Sequence, residues 1–259
     1  MAIRTNLKDL KSARDRFKTE ITLPSAGYSN PTAFPGGKLT DYPWDIATSE
    51  WMAEASKTSE HSFLAKLAQR VTRLSDAATR DLVSSELLLV CMVSRALALP
   101  NSSVSYTPTC PHCGTVQPMV TIRIPDALQK EGEKTPDYKG DKVTLPESKD
   151  VLTVRPLLVG EVEDVLALPT DLRRGFTDSE LTLLTAIRAV NETTPDNFAE
   201  LKTYFQALSP VDIEFLVLEL GRIAPGVSTK IKHKCENSRC EKTFDYLLRL
   251  GPDFFRDRG

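Results

Sequence analysis

The apolar positions of this 259-residue chain fall into blocks of different period. Over residues 6–19, Leu7, Leu10, Ala13 and Phe17 recur at roughly helical spacing, which predicts a short amphipathic helix. The next stretch, EITLPSAGYSNPTAFPGGKLTDYPW (residues 20–44), holds four prolines and three glycines and reads as extended and turn-rich. Its Ile21, Leu23, Tyr28, Phe34, Leu39 and Trp44 predict that it packs on something instead of hanging as a linker. A mostly helical block follows over residues 46–99. Phe63, Leu64, Leu67, Val71 and Leu74 make one apolar stripe. Leu82, Leu87, Leu88, Leu89, Met92 and Leu97 fill a second helix, apolar on most sides as a central core helix is, and Pro100 and Asn101 end it.

The pattern then changes. Residues 103–124 alternate and carry Val, Tyr, Thr and Ile, which predicts strands around a turn. DALQKEGEKTPDYKGD (residues 126–141) reads as an exposed loop. Two more short strands and a helix from about Gly160 follow. TDSE (residues 177–180) fits a capping box opening a helix to about Val190, and Asp196 can cap another through Leu208. Ser209 and Pro210 are a good N-cap and first helical residue for the stretch carrying Ile213, Phe215, Leu216, Leu218 and Leu220. APGV breaks that helix, and VSTKIKHK and KTFDYLLRL read as strands around the turn CENSRC.

These blocks divide the chain into an N-terminal helix and Pro/Gly-rich arm (1–44), a helical region (45–100), a β region (101–159), a second helical region (160–224) and a C-terminal hairpin (225–259). The expected class is α+β: a mainly helical body with a small antiparallel β element. One internal echo stands out. Thr22-Leu23-Pro24 followed by Leu39-Thr40-Asp41-Tyr42-Pro43 resembles Thr144-Leu145-Pro146 followed by Leu152-Thr153-Val154-Arg155-Pro156. Chance explains a match this short, and so does a duplication.

Composition narrows the function classes. The chain is 41% hydrophobic and 26% charged with a formal net charge of -2, so whole-chain attraction to nucleic acid or an anionic membrane is not expected. MAIRTNLKDLKSARDRF has no apolar h-region and is not read as a secretory signal. No apolar run reaches the roughly 18 residues of a membrane span; the longest, LLLVCMVSRALAL, is interrupted by Ser94 and Arg95. Five cysteines, an odd number in a chain this long, favour a reducing compartment and metal binding or catalysis over disulfides.

Four of those cysteines sit in two matching places. Cys110 and Cys113 lie in TPTCPHCGTVQPMVTIRI, and Cys235 and Cys240 in KIKHKCENSRCEKTFDYLL, each pair with strand-like runs on both sides. Two strand–turn–strand hairpins can bring four thiolates to one tetrahedral point, a split zinc-ribbon-like pair of knuckles holding a structural Zn2+. CPHCG is the stronger knuckle; CENSRC departs from it in its C-x4-C spacing and in Glu241, where glycine is usual. Four unligated thiols and a redox CxxC are the alternatives, and His112 or His233 could replace a cysteine ligand. Cys91, inside the apolar helix, reads as a core residue.

Catalytic patterns are weak. The three histidines, His61, His112 and His233, have no recognisable nucleophile partner, and PGGK (residues 35–38) lacks phosphate-loop spacing. His61-Ser62-Phe63 fails the H-x-E test for deaminase chemistry. Glu161, Glu163 and Asp164 read as an exposed helix face, and no enzyme is expected. Lys230, Lys232, Lys234, Arg239 and Lys242 make the last hairpin locally basic, which sustains a zinc-ribbon nucleic-acid-binding or transcription-associated protein as the alternative. Glu236 and Glu241 interrupt that stripe and stacking aromatics are sparse.

The order of several segments resembles a family. TLPSAGY comes first, then VTLPESKDVLTVRPLLVGEVEDV, then FQALSPVDIEFLVLELGRIAPGV, and last a cysteine hairpin closing in FDYLLRLGPDFF. This order resembles the baseplate hub and hub-assembly proteins of T-even-type contractile-tailed bacteriophages, over most of residues 20–255. The matching positions are Leu23, Pro24, Ser25 and Gly27; Arg155 and Pro156; Pro225 and Gly226; the four cysteines; and Phe254 and Phe255. Ala26 and the C-x4-C spacing depart from the family pattern. The resemblance implies a non-enzymatic tail component whose partners are other tail and baseplate proteins, with no small-molecule substrate. It would either help the hub assemble in the host cytoplasm or go on from there to sit in the mature virion baseplate. Leu23, Pro24, Ser25, Tyr28, Phe254 and Phe255 are the candidate partner contacts.

Overall fold

In the computed structural model, residues 18–55, 59–99, 103–123, 129–131, 140–224, 226–228, 230–247 and 255 are described. The Pro/Gly-rich arm is a hairpin. Strands β1 (Thr19–Thr22) and β2 (Lys38–Asp41) pair antiparallel, Ile21 opposite Leu39. The long turn between them closes on itself, which requires glycine at two places. A Cβ on Gly27 would stand 2.6 Å from the Phe34 carbonyl oxygen, and one on Gly37 2.6 Å from the Ala26 Cα. Both glycines have positive φ, where only glycine is unstrained. That closure turns Leu23 and Phe34 inward.

Four helices follow: α1 (Ile46–Glu54), α2 (Glu60–Thr72), α3 (Asp76–Arg80) and α4 (Leu87–Ala98). Asp45, Ser59 and Ser75 cap the first three, each accepting a first-turn backbone N–H and so satisfying one of the donors a helix start leaves over. The stripe of α2 packs Phe63, Leu67 and Val71 against Leu87 and Val90 and against Ile21, Leu23 and Leu39 of the hairpin. Leu82 is buried, as its pattern implied, but precedes α4. Strands β3 (Ser103–Tyr106) and β4 (Val120–Arg123) then pair around the first cysteine turn.

A second assembly begins with the antiparallel pair β6 (Asp141–Thr144) and β7 (Val151–Val154). Helices α5 (Val159–Leu166), α6 (Thr170–Arg173) and α7 (Asp178–Thr185) come next, then strand β8 (Ile187–Val190), which completes the sheet β6-β7-β8. Helices α8 (Phe198–Ala207) and α9 (Pro210–Ile223) cover it, with Leu145, Leu152, Val154, Leu184, Phe205 and Leu216 as their shared core. Strands β10 (Lys230–Lys234) and β11 (Thr243–Leu247) pair around the second cysteine turn. The fold is mixed α+β, mainly helical with small antiparallel sheets.

Four expectations are corrected. The TDSE box is present, with Thr177 and Glu180 bonded reciprocally, but its helix stops at Thr185 and Ile187–Val190 is strand. The cap of α8 is Asn197, whose side chain accepts the Glu200 N–H, while Asp196 lies one residue outside. Within the polar 126–141 segment, Gln129–Glu131 forms strand β5, paired with β9 (Gly226–Ser228), so VSTKIKHK supplies two strands. Thr19, expected to end the first helix, begins β1; the rest of that helix lies outside the described residues except Lys18, which is not helical.

One buried carboxyl bears on pH behaviour. Glu86 is fully buried and accepts from the Ser25 backbone N–H at 2.7 Å and the Ser25 hydroxyl at 3.0 Å. Burial pushes its carboxyl from 4.5 up to about 7. Folded Glu86 therefore keeps a proton that the unfolded chain releases. Its stabilising share is full below pH 4.5 and is lost as pH rises through about 7. Glu86→Gln is expected to remove that share, on the order of 3 kcal/mol, from the pH dependence. Urea unfolding midpoints at pH 5 and pH 8 check it. Asp41, also buried and pushed up to about 8, leaves a residual slope of the same sign.

Candidate metal centre

The two cysteine turns meet. The four sulfurs of Cys110, Cys113, Cys235 and Cys240 lie within 4.8 Å of one another. Cys110 Sγ is 3.8 Å from Cys240 Sγ, and Cys113 Sγ is 3.7 Å from Cys235 Sγ. Thiolates held ~2.3 Å from one tetrahedral zinc stand ~3.8 Å apart. The donor set and the two spacings therefore fit a four-thiolate ion, consistent with a structural Zn2+ site. Cys110 and Cys235 are buried and Cys240 half-buried, while Cys113 is exposed. Cys91 lies in the core of α4, its thiol 3.5 Å from the Leu64 carbonyl oxygen.

Local backbone geometry builds each knuckle. In the first, the Cys110 N–H donates to Thr115 O, the Gly114 N–H returns to Cys110 O, and Gly114 has φ 70°. In the second, the Cys235 N–H donates to Lys242 O and the Cys240 and Glu241 N–H groups both donate to Asn237 O. The two extra residues of C-x4-C form a turn anchored by Asn237, whose side-chain oxygen also accepts the Arg239 N–H. Glu241 takes the left-handed conformation that Gly114 takes in the first knuckle, with φ 49°. A side chain there is strained. Glu241→Gly is expected to raise the stability of the metal-loaded protein by about 0.5 kcal/mol, checked by thermal melting.

Three residues that the spacing did not reveal join the two turns. Gln117 is buried; its amide donates to Thr115 O at 2.9 Å and to Cys235 Sγ at 3.4 Å, and its oxygen accepts the Glu236 N–H at 2.7 Å. The Asn237 amide donates to Thr115 Oγ1 at 3.0 Å. Thr115 Oγ1 in turn lies 3.3 Å from Cys113 Sγ. The only sequence sign of Gln117 is a polar residue in an otherwise strand-like run. Below the sulfurs, Tyr106 of β3 stacks on Tyr246 of β11 with ring centroids 4.6 Å apart, so the two hairpins share an apolar floor.

The electrostatics are uneven across the cluster. The Thr115 hydroxyl and backbone N–H pull the Cys113 thiol down to about 6. Burial, first, and the neighbouring sulfurs push Cys235 up to about 12. A metal ion is the natural way to bring four such groups to the thiolate form, and binding it releases their protons. The second hairpin exposes Lys232, Lys234, Arg239 and Lys242 together with Glu236 and Glu241, so its surface around the sulfurs is of mixed charge.

The other candidate positions fall elsewhere. His112 is exposed, and His233 stands edge-on to Phe244 at 5.4 Å; neither belongs to the sulfur cluster. Leu23, Ser25 and Phe255 are buried in the chain's own interior, Phe255 with its ring 6.0 Å from Phe63. Burial there leaves them no surface for a partner in this structure. Pro24 and Tyr28 are half-buried, and Phe254 lies outside the described residues. Glu161 is not a solvated face residue: Arg155 and Arg188 both donate to its Oε1, and Leu158 N–H to its Oε2. Among the described residues no helix is long and apolar enough to cross a membrane. No family model matches the chain, and no curated protein or solved structure matches it.

Proposed function

We propose that the chain is a non-enzymatic structural or assembly component of a contractile-tail baseplate, in its hub region, acting through protein–protein contacts and rigidified by a split zinc-ribbon-like site. The observation that carries the general reading is the four-sulfur cluster, whose two hairpins come from distant parts of the chain. A closed four-thiolate site stabilises a shape; it keeps no open position for a substrate. Exposed apolar side chains supply surface for contacts. Val211, Val217 and Leu218 lie on α9, and Val116 and Met119 stand beside the first knuckle. The phage assignment itself rests on the order of segments from TLPSAGY to FDYLLRLGPDFF.

The test is co-expression with hub and baseplate proteins of a contractile-tailed bacteriophage. Wild type is expected to co-purify with at least one of them. Val217→Asp with Leu218→Asp is expected to weaken that association at least tenfold with an unchanged melting temperature. Failure to associate with any tail protein, together with steeply salt-dependent binding to single-stranded or duplex DNA, would replace this reading by the nucleic-acid one.

A further inference from the structure

The TLP echo continues beyond these segments into the surrounding structure. β1 and β2 pair Ile21 with Leu39, and β6 and β7 pair Val143 with Leu152. Thr22-Leu23-Pro24 and Thr144-Leu145-Pro146 leave these hairpins at the same register, with Leu23 and Leu145 both buried. A proline, Pro43 or Pro156, ends each second strand, and a helix starts seven residues after the strand leucine: Ile46 after Leu39, Val159 after Leu152.

The equivalence continues in contacts that no sequence pattern encodes. The residue after Leu-Pro donates its backbone N–H to a buried acidic side chain near the start of the last long helix. Ser25 N–H reaches Glu86 Oε1 at 2.7 Å, and Glu147 N–H reaches Asp212 Oδ1 at 2.8 Å. The N–H just past the second strand is held by the end of a helix, Tyr42 by Val71 O and Arg155 by Ala186 O. In those helices, Thr72 Oγ1 bonds Ala68 O at 2.7 Å and Thr185 Oγ1 bonds Leu181 O at 2.8 Å. The last helix, α4 or α9, is then followed by a strand, a two-cysteine turn and a strand, with the short β9 intervening after α9. A left-handed residue follows the second cysteine of each turn, Gly114 or Glu241.

We infer that residues 19–123 and 141–247 are two copies of one hairpin–helices–knuckle unit, and that the four-thiolate site is the joint between the copies. The sulfur pairing has the reciprocity of a two-fold contact. The first cysteine of one knuckle faces the second of the other, Cys110 with Cys240 and Cys235 with Cys113. Each copy brings half of the ligands, so one ion closes a pseudo-dimer within a single chain. The copies differ where residues were added or lost: among the described residues β8, α6 and β9 belong to the second alone, and α2 has 13 residues against 8 in α7.

Two experiments on the full chain test this, and they fail separately. The first grafts the knuckle of the first copy into the second, replacing Cys235–Glu241 by Cys-Pro-His-Cys-Gly. Cobalt titration of the folded graft is expected to give one ion per chain with the visible bands of a four-thiolate site, as in wild type. A folded graft with no such bands, beside a wild type that shows them, overturns the equivalence of the knuckles. A wild type that takes up no cobalt or zinc sinks the metal joint instead. The second follows amide hydrogen exchange by NMR and is independent of metal. Ser25 and Glu147 amides are expected to be protected in wild type. Glu86→Ala should speed exchange at Ser25 alone, and Asp212→Ala at Glu147 alone, each at least tenfold. An unprotected amide at either position in wild type, or no response to loss of its carboxylate, overturns the duplication.

Discussion

Replacing Cys235 by serine is expected to empty the metal centre and lower the melting temperature by about 8–16 °C. Cys235 is buried and 3.7 Å from Cys113. A serine hydroxyl is a poor ligand at neutral pH, and three remaining thiolates leave the tetrahedron open. Metal bound at a thousandfold excess over its dissociation constant stabilises the native state by ~4 kcal/mol. For a chain of this size each kcal/mol moves the midpoint by roughly 2–4 °C. Elemental analysis should read one zinc per wild-type chain and none in the variant. Metal-free wild type melting at the same temperature as Cys235→Ser would show that the loss acts through the ion. Wild type without zinc, with all five thiols reactive under native conditions, would leave the cluster as unligated thiols.

Phe255→Ala is expected to cost about 3–5 kcal/mol while leaving the metal bound. The ring is buried at 1% exposure in the same core as Leu23, Phe34, Phe63 and Val90. It packs 6.0 Å from Phe63, which itself stacks on Trp51 at 5.3 Å. Truncation leaves a cavity that rigid helices α2 and α4 fill only in part, which is why the transfer and cavity penalties add. Urea titration measures the loss, and zinc content measures the joint separately. A variant as stable as wild type would return Phe255 to the role of a partner contact.

Much of this was legible in the sequence wherever a signal is local. The Thr177–Glu180 box and the Ser209-Pro210 start both form as read, because capping needs residues within one turn of each other. The strands around each cysteine pair were visible from alternation and β-branched residues. β8 was hidden because Ile187, Ala189 and Val190 follow the apolar run of α7 with no glycine or proline between them. β5 was hidden because Gln129, Lys130 and Glu131 favour helix, and only pairing with β9 makes them strand. Asp196 and Asn197 are adjacent residues of nearly equal capping strength. The four cysteines could be named from spacing within each pair. Gln117, which joins the pairs, could not, since its partners Cys235 and Glu236 are more than a hundred residues away. Phe255 carries no local sign of whether a terminal aromatic faces inward or outward.

The wide separation of the two knuckles also sets a schedule. Cys113 and its facing Cys235 are 122 residues apart, and Cys110 and Cys240 are 130 apart. At synthesis rates of roughly 5–20 residues per second, the first thiol pair leaves the ribosome about 6–24 s before its complement. For that interval it is a two-sulfur half-site, able to hold an ion weakly or to meet the knuckle of another nascent chain. Free zinc and polysome density during expression are therefore expected to set how many chains close on themselves, which the monomer fraction of protein expressed with and without added zinc would measure.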